Sequence, residues 1–538
     1  MLDLSRRGLL GAALLGGTGL MLGGCGRAPA PPASPKPRYG GRLRLGIVDG
    51  DRSGNLDAHK PIGLGSTIRG FALYDKLWEW SSEMTPLLSL AEEAEVSRDA
   101  RFWTIRLKQG LEFHHGKTID ADDVIFSIRR LTDPELASPF GSLVRPVDRD
   151  QIAKLDNRTV RLVIRDGDGF VALPQTWVNF GGIVPQDYHP VTNPVGAGPY
   201  KIVSPGDYVP GQRALFRRFE NYHKPGRPYA EELEIIEFKD QTARFAALLA
   251  GQIDVANSIL PEHAATLANA SSVKLVRSPT NSWHSFDMNI NAEPFRDVRV
   301  RQAFRLLVDR QDMVERVLHG EGRIANDLYS PQDPCFAHHI PQRQHDPEEA
   351  RSLLKAAGYE KLKLEVVSSP FATTSALAFA EQAKRVGIAM SVRKVDMPTF
   401  TGPDRTKWAF STGGPMGSGM PGLDYLGTAL SVDAPTAANN KTHFNNPEFA
   451  RRFDAALAEP DVNARRPLLH AAQQIQHEQG GFHRTLHPDL SDQRVEWLKE
   501  QSRLLWLHGF LEHDVDIDAW IDRRPLEAAL ALRAAKAA

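Results

Sequence analysis

From Gly40 onward, short strand patterns alternate with capped helix patterns, and no repeat period links them. That alternation points to α/β or α+β lobes. Arg42-Leu43-Arg44-Leu45-Gly46-Ile47 alternates as a half-buried strand does, with Leu43, Leu45 and Ile47 on one face. Further strands are expected at Phe102 to Leu107, Thr159 to Ile164, Leu233 to Phe238, Lys274 to Arg277 and Leu362 to Val367. Helices declare themselves by their caps. Asp346-Pro347-Glu348-Glu349 supplies an N-cap, Pro at the first helical position and acids in the first turn, and Gly358 stops the helix. Asp297 and Asp120 open two more, the latter with Asp123 close behind. The 538 residues carry 65 Lys plus Arg against 66 Asp plus Glu, so no basic excess exists to neutralise phosphates, and nucleic acid is not expected as a partner. Sheet order cannot be read from these patterns.

The first 25 residues read as an address. Arg6-Arg7 precede an apolar stretch from Gly8 to Leu22 that is interrupted by glycines and shorter than the roughly 20 residues a membrane span needs. Ser5-Arg6-Arg7-Gly8-Leu9-Leu10 resembles the twin-arginine export signal, with Leu9 where that signal usually has Phe; general secretory export is the alternative. Leu22-Gly23-Gly24-Cys25 resembles the bacterial lipobox, in which the Cys becomes the acylated mature N-terminus. Acyl chains would then hold the protein on a membrane without a span. Pro29, Pro31, Pro32, Pro35 and Pro37 favour extended geometry over the stretch to Tyr39, a tether of up to about 40 Å. With Cys25 acylated, Cys335 has no partner and no disulfide framework exists.

Catalytic motifs fail one by one. Gly116-Lys117-Thr118 resembles the end of a phosphate-binding loop, yet the Gly required five positions earlier is Leu111. His114-His115 with Asp120, Asp122 and Asp123 looks ligand-rich, but the acids have a sufficient role at a helix start. His477-Glu478 lacks the second His at the position of Gly481 that a zinc protease helix needs. Gly196-Ala197-Gly198-Pro199-Tyr200 lacks the third Gly of a dinucleotide loop, and Pro199 would obstruct the receiving helix, so a tight turn entering a strand fits better. No cofactor, metal site or catalytic residue is expected.

Absence of catalytic motifs in a chain that reads as exported and lipid-anchored points to binding, and a long ordered signature agrees. Pro86-Leu87-Leu88-Ser89-Leu90-Ala91, then Phe102 to Lys117 (FWTIRLKQGLEFHHGK), then Asp120-Ala121-Asp122-Asp123-Val124, resembles the solute-binding proteins of ABC importers of the peptide/nickel type, extracellular family 5. Gly196 to Tyr200, Leu248-Leu249-Ala250-Gly251-Gln252-Ile253-Asp254, Met288-Asn289-Ile290-Asn291 with Pro294-Phe295, and the helix from Asp346 follow in the family's order. The resemblance runs from Gly40 to about Trp506.

It implies an α/β two-lobe periplasmic-binding-protein fold, type II in its large variant, with an extra subdomain in the first lobe. The implied organisation is an export signal over 1–25, a tether over 26–39, first-lobe sheet over 40–75, an inserted subdomain over 76–190, first lobe again over 191–280, second lobe over 281–484 and a return with a C-terminal helix over 485–538. A monomer is expected, at the periplasm or cell surface, with ABC transporter permease subunits as partners and a small-molecule or peptide solute as ligand. In peptide-binding relatives a Gly-Trp pair and a nearby Asp build the pocket; here Pro415 and Ser418 stand at those places and Asp424 comes later. The glycine-rich stretch Trp408 to Tyr425 is therefore the expected wall, with Trp408, Phe410 and Tyr425 as stacking surface and Asp424 as acceptor for a cationic group. Trp283 would face it from the hinge side. The alternatives are a metal or metallophore receptor of the same fold and an exported hydrolase.

Overall fold

A computed structural model describes residues 38–487, leaving aside 49–55, 82–85, 166–168, 277–282, 414–424, 434–439 and a few single or paired positions. Three sheets organise the described chain. The first runs Val255–Ala256, Arg42–Ile47, Glu232–Glu237, Arg213–Arg218, Tyr200–Lys201. Arg42–Ile47 lies parallel to Glu232–Glu237, Leu45 against Ile235, so its apolar alternation faces a matching strand. Arg42 pairs with Glu232 and Glu234 on the other face. Between the first strand of this sheet and the rest, the chain builds a separate antiparallel sheet, Ala91–Val96, Phe102–Leu107, Thr159–Val163, Ala153–Lys154. The helix Ala121–Leu131 covers it through Val124, Ile128 and Leu131.

The second lobe carries the third sheet, ordered Ala389–Lys394, Lys363–Ser368, Phe410–Gly413, Ser285–Met288, Phe482–Arg484. Lys363–Ser368 is parallel to both its neighbours, whereas Ser285–Met288 is antiparallel to both of its own. Its core is built around Phe286, Phe295, Phe304, Phe379 and Phe410. The first lobe has its own core, with Ile47, Leu73, Tyr74, Tyr188, Phe216 and Ile235. The largest apolar cluster joins the small antiparallel sheet to residues 425–472 of the second lobe. There Val171 N–H donates to the Leu457 carbonyl at 2.8 Å.

The expected caps are present. Asp120 accepts from Asp122 and Asp123 backbone N–H while Asp123 accepts from Asp120 N–H, and Asp346 accepts from Glu349 N–H. Gly196 ends a turn before Tyr200–Lys201, and its lack of a side chain is a packing need: a Cβ there would sit 2.0 Å from the Leu73 carbonyl. One expected strand is corrected. Residues 274–276 are not a strand, and Val276 is 47% exposed; β-branched residues make a strand only where a neighbouring strand and a packed face receive them. Arg277 lies outside the described residues.

Candidate functional site

His114 and His115, conspicuous in the sequence, belong to packing. His114 Nε2 meets the Gly198 carbonyl at 3.0 Å, its ring stands edge-on to Phe219, and burial pushes its pKa down to about 4. His115 stands edge-on to Phe113.

The region where the second lobe meets the rest of the chain is richer. Trp283 and Tyr425 are both buried, and Tyr329 joins them, tilted against Trp283 at 5.9 Å and stacked on Tyr425 at 4.6 Å. Behind these rings lies a polar network. The Tyr329 hydroxyl donates to Asp433 Oδ2 at 2.6 Å, Gln476 Nε2 donates to the same oxygen at 2.5 Å, and the Tyr425 hydroxyl donates to Gln476 Oε1 at 3.2 Å. Tyrosine suits this position because its ring joins the apolar cluster while its hydroxyl remains bonded.

A second group grows from strand alternation. Phe286 and Met288 face the second-lobe core, so Ser285 and Asp287 face the other way, opposite Gly413 and Ser411. Ser285 Oγ donates to Asp287 Oδ1 at 2.8 Å, and Lys441 Nζ lies 3.9 Å from Asp287 Oδ2. Burial lowers the pKa of the Lys441 ammonium, with Asp287 working against that shift and Arg405 with it. Lys441 also stands 4.0 Å over the Phe400 ring, which packs against Trp408 at 5.6 Å. Gly413 has to be glycine, because a Cβ there would fall 2.0 Å from the Asp287 carboxylate. The group is thus a buried carboxylate and ammonium flanked by aromatic rings, at the point where Gly413 leads into 414–424.

The structure therefore brings Trp283 and Tyr425 together through Tyr329, and ties Trp408 to Asp287 through Phe400 and Lys441. Phe410 is a correction. Its side chain is 1% exposed, with Phe295, Phe304, Phe286 and Phe379 all within 6 Å by ring centroid, because strand alternation turns it into the core beside Met288. Asp424 and Cys25 lie outside the described residues. Asp287, Lys441 and Tyr329 were missed, although alternation within the strand Ser285–Met288 already set Asp287 on the face opposite Phe286.

Two α/β lobes, with the strand Ser285–Met288 of the second paired to the late strand Phe482–Arg484, give the two-lobe fold of periplasmic binding proteins. Residues 85–435 match the model of the bacterial extracellular solute-binding proteins, family 5, and the chain belongs to that family. A heme-binding protein A from Haemophilus influenzae is 29% identical over 76% of this chain and 80% of its own. A dipeptide-binding protein from Escherichia coli is 25% identical over 76% of this chain and 82% of its own. Among solved structures, a periplasmic binding protein from Helicobacter pylori in complex with peptide STSA superimposes with a TM-score of 0.72 at 18% identity, covering 84% of this chain and 93% of its own. These relatives are binding proteins and not enzymes, and among the described residues no helix is long and apolar enough to cross a membrane.

Proposed function

We propose that this protein captures a peptide-like solute between its lobes and hands it to an ABC transporter permease, held at the membrane by acylated Cys25. The observation that carries the solute class is the Asp287 and Lys441 pair on the non-core face of the second-lobe sheet, beside Trp408 and Phe400. A carboxylate there can accept from an ammonium group of the solute, and the rings offer surface to its side chains. We keep Trp283, Trp408 and Tyr425 as the candidate neighbouring wall, and Asp424 as a second candidate acceptor. Relatives named for dipeptides and peptides support the class.

Mass spectrometry of solute released by denaturing the purified protein tests it: short peptides, chemically unaltered, are expected. A released tetrapyrrole or metal chelate would replace the peptide reading, and a solute altered at catalytic turnover would favour a hydrolase. With the solute in hand, calorimetry on Asp287→Asn and Asp424→Asn separates the two acceptors. The one that pairs with the solute's ammonium loses on the order of 2 to 5 kcal/mol of affinity. Anchoring is tested separately: Cys25→Ala should move the protein from the membrane fraction to the soluble fraction, and an unchanged distribution would remove the anchor.

A further inference from the structure

The first lobe holds a buried cation that Asp75 and Glu79 act on only as nearby charges, without accepting a bond from it. Lys76 is 7% exposed, and among the described residues no carbonyl, hydroxyl or carboxylate accepts from its ammonium, which stands 4.2 Å over the Phe71 ring. The neighbouring acids are committed elsewhere. Asp75 accepts from Ser89 Oγ, the Tyr222 hydroxyl and His223 Nε2, Glu79 accepts from Lys224, and Asp57 is held by two bonds from Arg130. Burial pulls the Lys76 pKa down to about 8, still above neutral, so the group is charged at pH 7. A lysine buried this far loses part of its hydration, and the nearby charges of Asp75 and Glu79 offset that loss without bonding to it.

Lys76 opens onto a hollow that Asp57, Ser66, Thr67, Phe71 and Tyr74 also line. It holds about 20 Å³ of open space, and one water needs roughly 10 to 15 Å³, so one small polar group fits. Ser66 and Thr67 belong to the first turn and a half of the helix Gly63–Leu73, whose N-terminal end favours negative charge. The location is also suitable. The next two residues, Leu77 and Trp78, are buried in the same apolar cluster as Trp283, Tyr329 and Tyr425.

We infer that Lys76 and the hollow beside it form an anion subsite of the first lobe that takes a carboxylate group of the solute. This rests on the solute-binding reading above and extends it. The solute then carries an acid for the first lobe and an ammonium for Asp287 of the second, and bridging the two charges gives it a greater affinity for the closed arrangement. Phe71 beside the ammonium adds a cation–π contact that holds it in place.

The test uses the whole protein freed of endogenous solute, with lysine labelled by carbon-13 at Cε. The Lys76 resonance is assigned by its loss in Lys76→Met or Lys76→Gln, and N-acetylglycine is titrated against N-acetylglycinamide, the same molecule without the carboxylate. A saturable shift of that resonance by N-acetylglycine alone is expected. No saturable shift, an equal shift with the amide, or an equal shift with sodium chloride at matched ionic strength overturns the proposal, whatever the natural solute is. A second arm offers wild-type protein a mixture of short peptides with free or amidated C-termini. Enrichment of the free acids by about tenfold or more, falling towards unity in Lys76→Met, supports the subsite; enrichment that Lys76→Met leaves unchanged counts against it. Failure of wild-type protein to capture any peptide would overturn the peptide reading, while the resonance shift would still report on the subsite.

Discussion

The cores of the two lobes are built from different chemistry. The second lobe stacks five phenylalanines, Phe286, Phe295, Phe304, Phe379 and Phe410, with no polar atom among their side chains. The first lobe buries Tyr74, Tyr188 and Tyr200 and sets an ion pair beside them. Arg130 holds Asp57 by two bonds of 2.7 Å and lies over the Tyr188 ring, while Tyr188 and Tyr74 both donate to the Leu56 carbonyl. A phenylalanine core draws its stability from buried area and packing, which titration does not touch. A core of desolvated charges is stable only while each charge keeps its partner. Among the described residues Lys76 has no direct acceptor for its ammonium, and Asp75 and Glu79 act on it only as nearby charges, which sets it apart from the bonded pair of Asp57 and Arg130.

The largest expected effect lies in the second lobe. Phe410→Ala should cost about 4 kcal/mol of stability in chemical denaturation, through lost burial and the cavity left among four rings. A loss under about 1 kcal/mol would mean that the ring is not part of the core, and would return it to the pocket. Acid should act on both lobes through buried histidines, His284 in the second, which burial pushes down to about 4, and His59 in the first. His59 is fully buried, its Nε2 meets the Gly182 carbonyl at 2.8 Å, and its Nδ1 faces Arg130 at 3.0 Å. Burial first, and the Arg130 charge second, push its pKa down to about 4. Between pH 6.5 and 4 the unfolded chain takes up a proton at His59 that the folded chain refuses. Its contribution is whole above pH 6.5 and is lost as pH falls, reaching about 3 kcal/mol near pH 4. His59→Gln should make the acid limb of stability shallower over that range, and an acid limb of unchanged slope would mean that His59 is not held neutral in the folded first lobe.

The smallest effect concerns the layer between them. Tyr425→Phe keeps the stack on Tyr329 and removes one bond to Gln476, so about 1 kcal/mol is expected from thermal unfolding. A loss well above that would mean that the whole network through Asp433 depends on this hydroxyl.

Much of the local structure was legible because local chemistry decides it. The strand Phe102–Leu107 and the helices opened by Asp120, Asp297 and Asp346 follow from alternation and from side chains that satisfy their own helix ends. The sheet order was not legible, since nothing in Arg42 to Ile47 names Glu232–Glu237, far along the chain, as its neighbour. The site was half legible for the same reason. Composition singled out Trp283, Trp408 and Tyr425, but Tyr329 joins them only through tertiary packing, and Lys441 finds Asp287 from 154 positions away in the sequence. Phe410 was misjudged because an aromatic residue beside glycines looks like a pocket wall until the strand's alternation is applied to it. Asp287 could have been found by that same step.

A solute that bridges the two lobes draws them together, and small-angle scattering reads that closure. Protein freed of endogenous solute is measured with and without a mixture of short peptides, alongside Lys76→Met and Asp287→Asn. A saturable fall in the radius of gyration is expected of the wild type, weakened in both variants, with the peptides recovered unchanged. Peptide bound at saturation with an unchanged radius of gyration would contradict it.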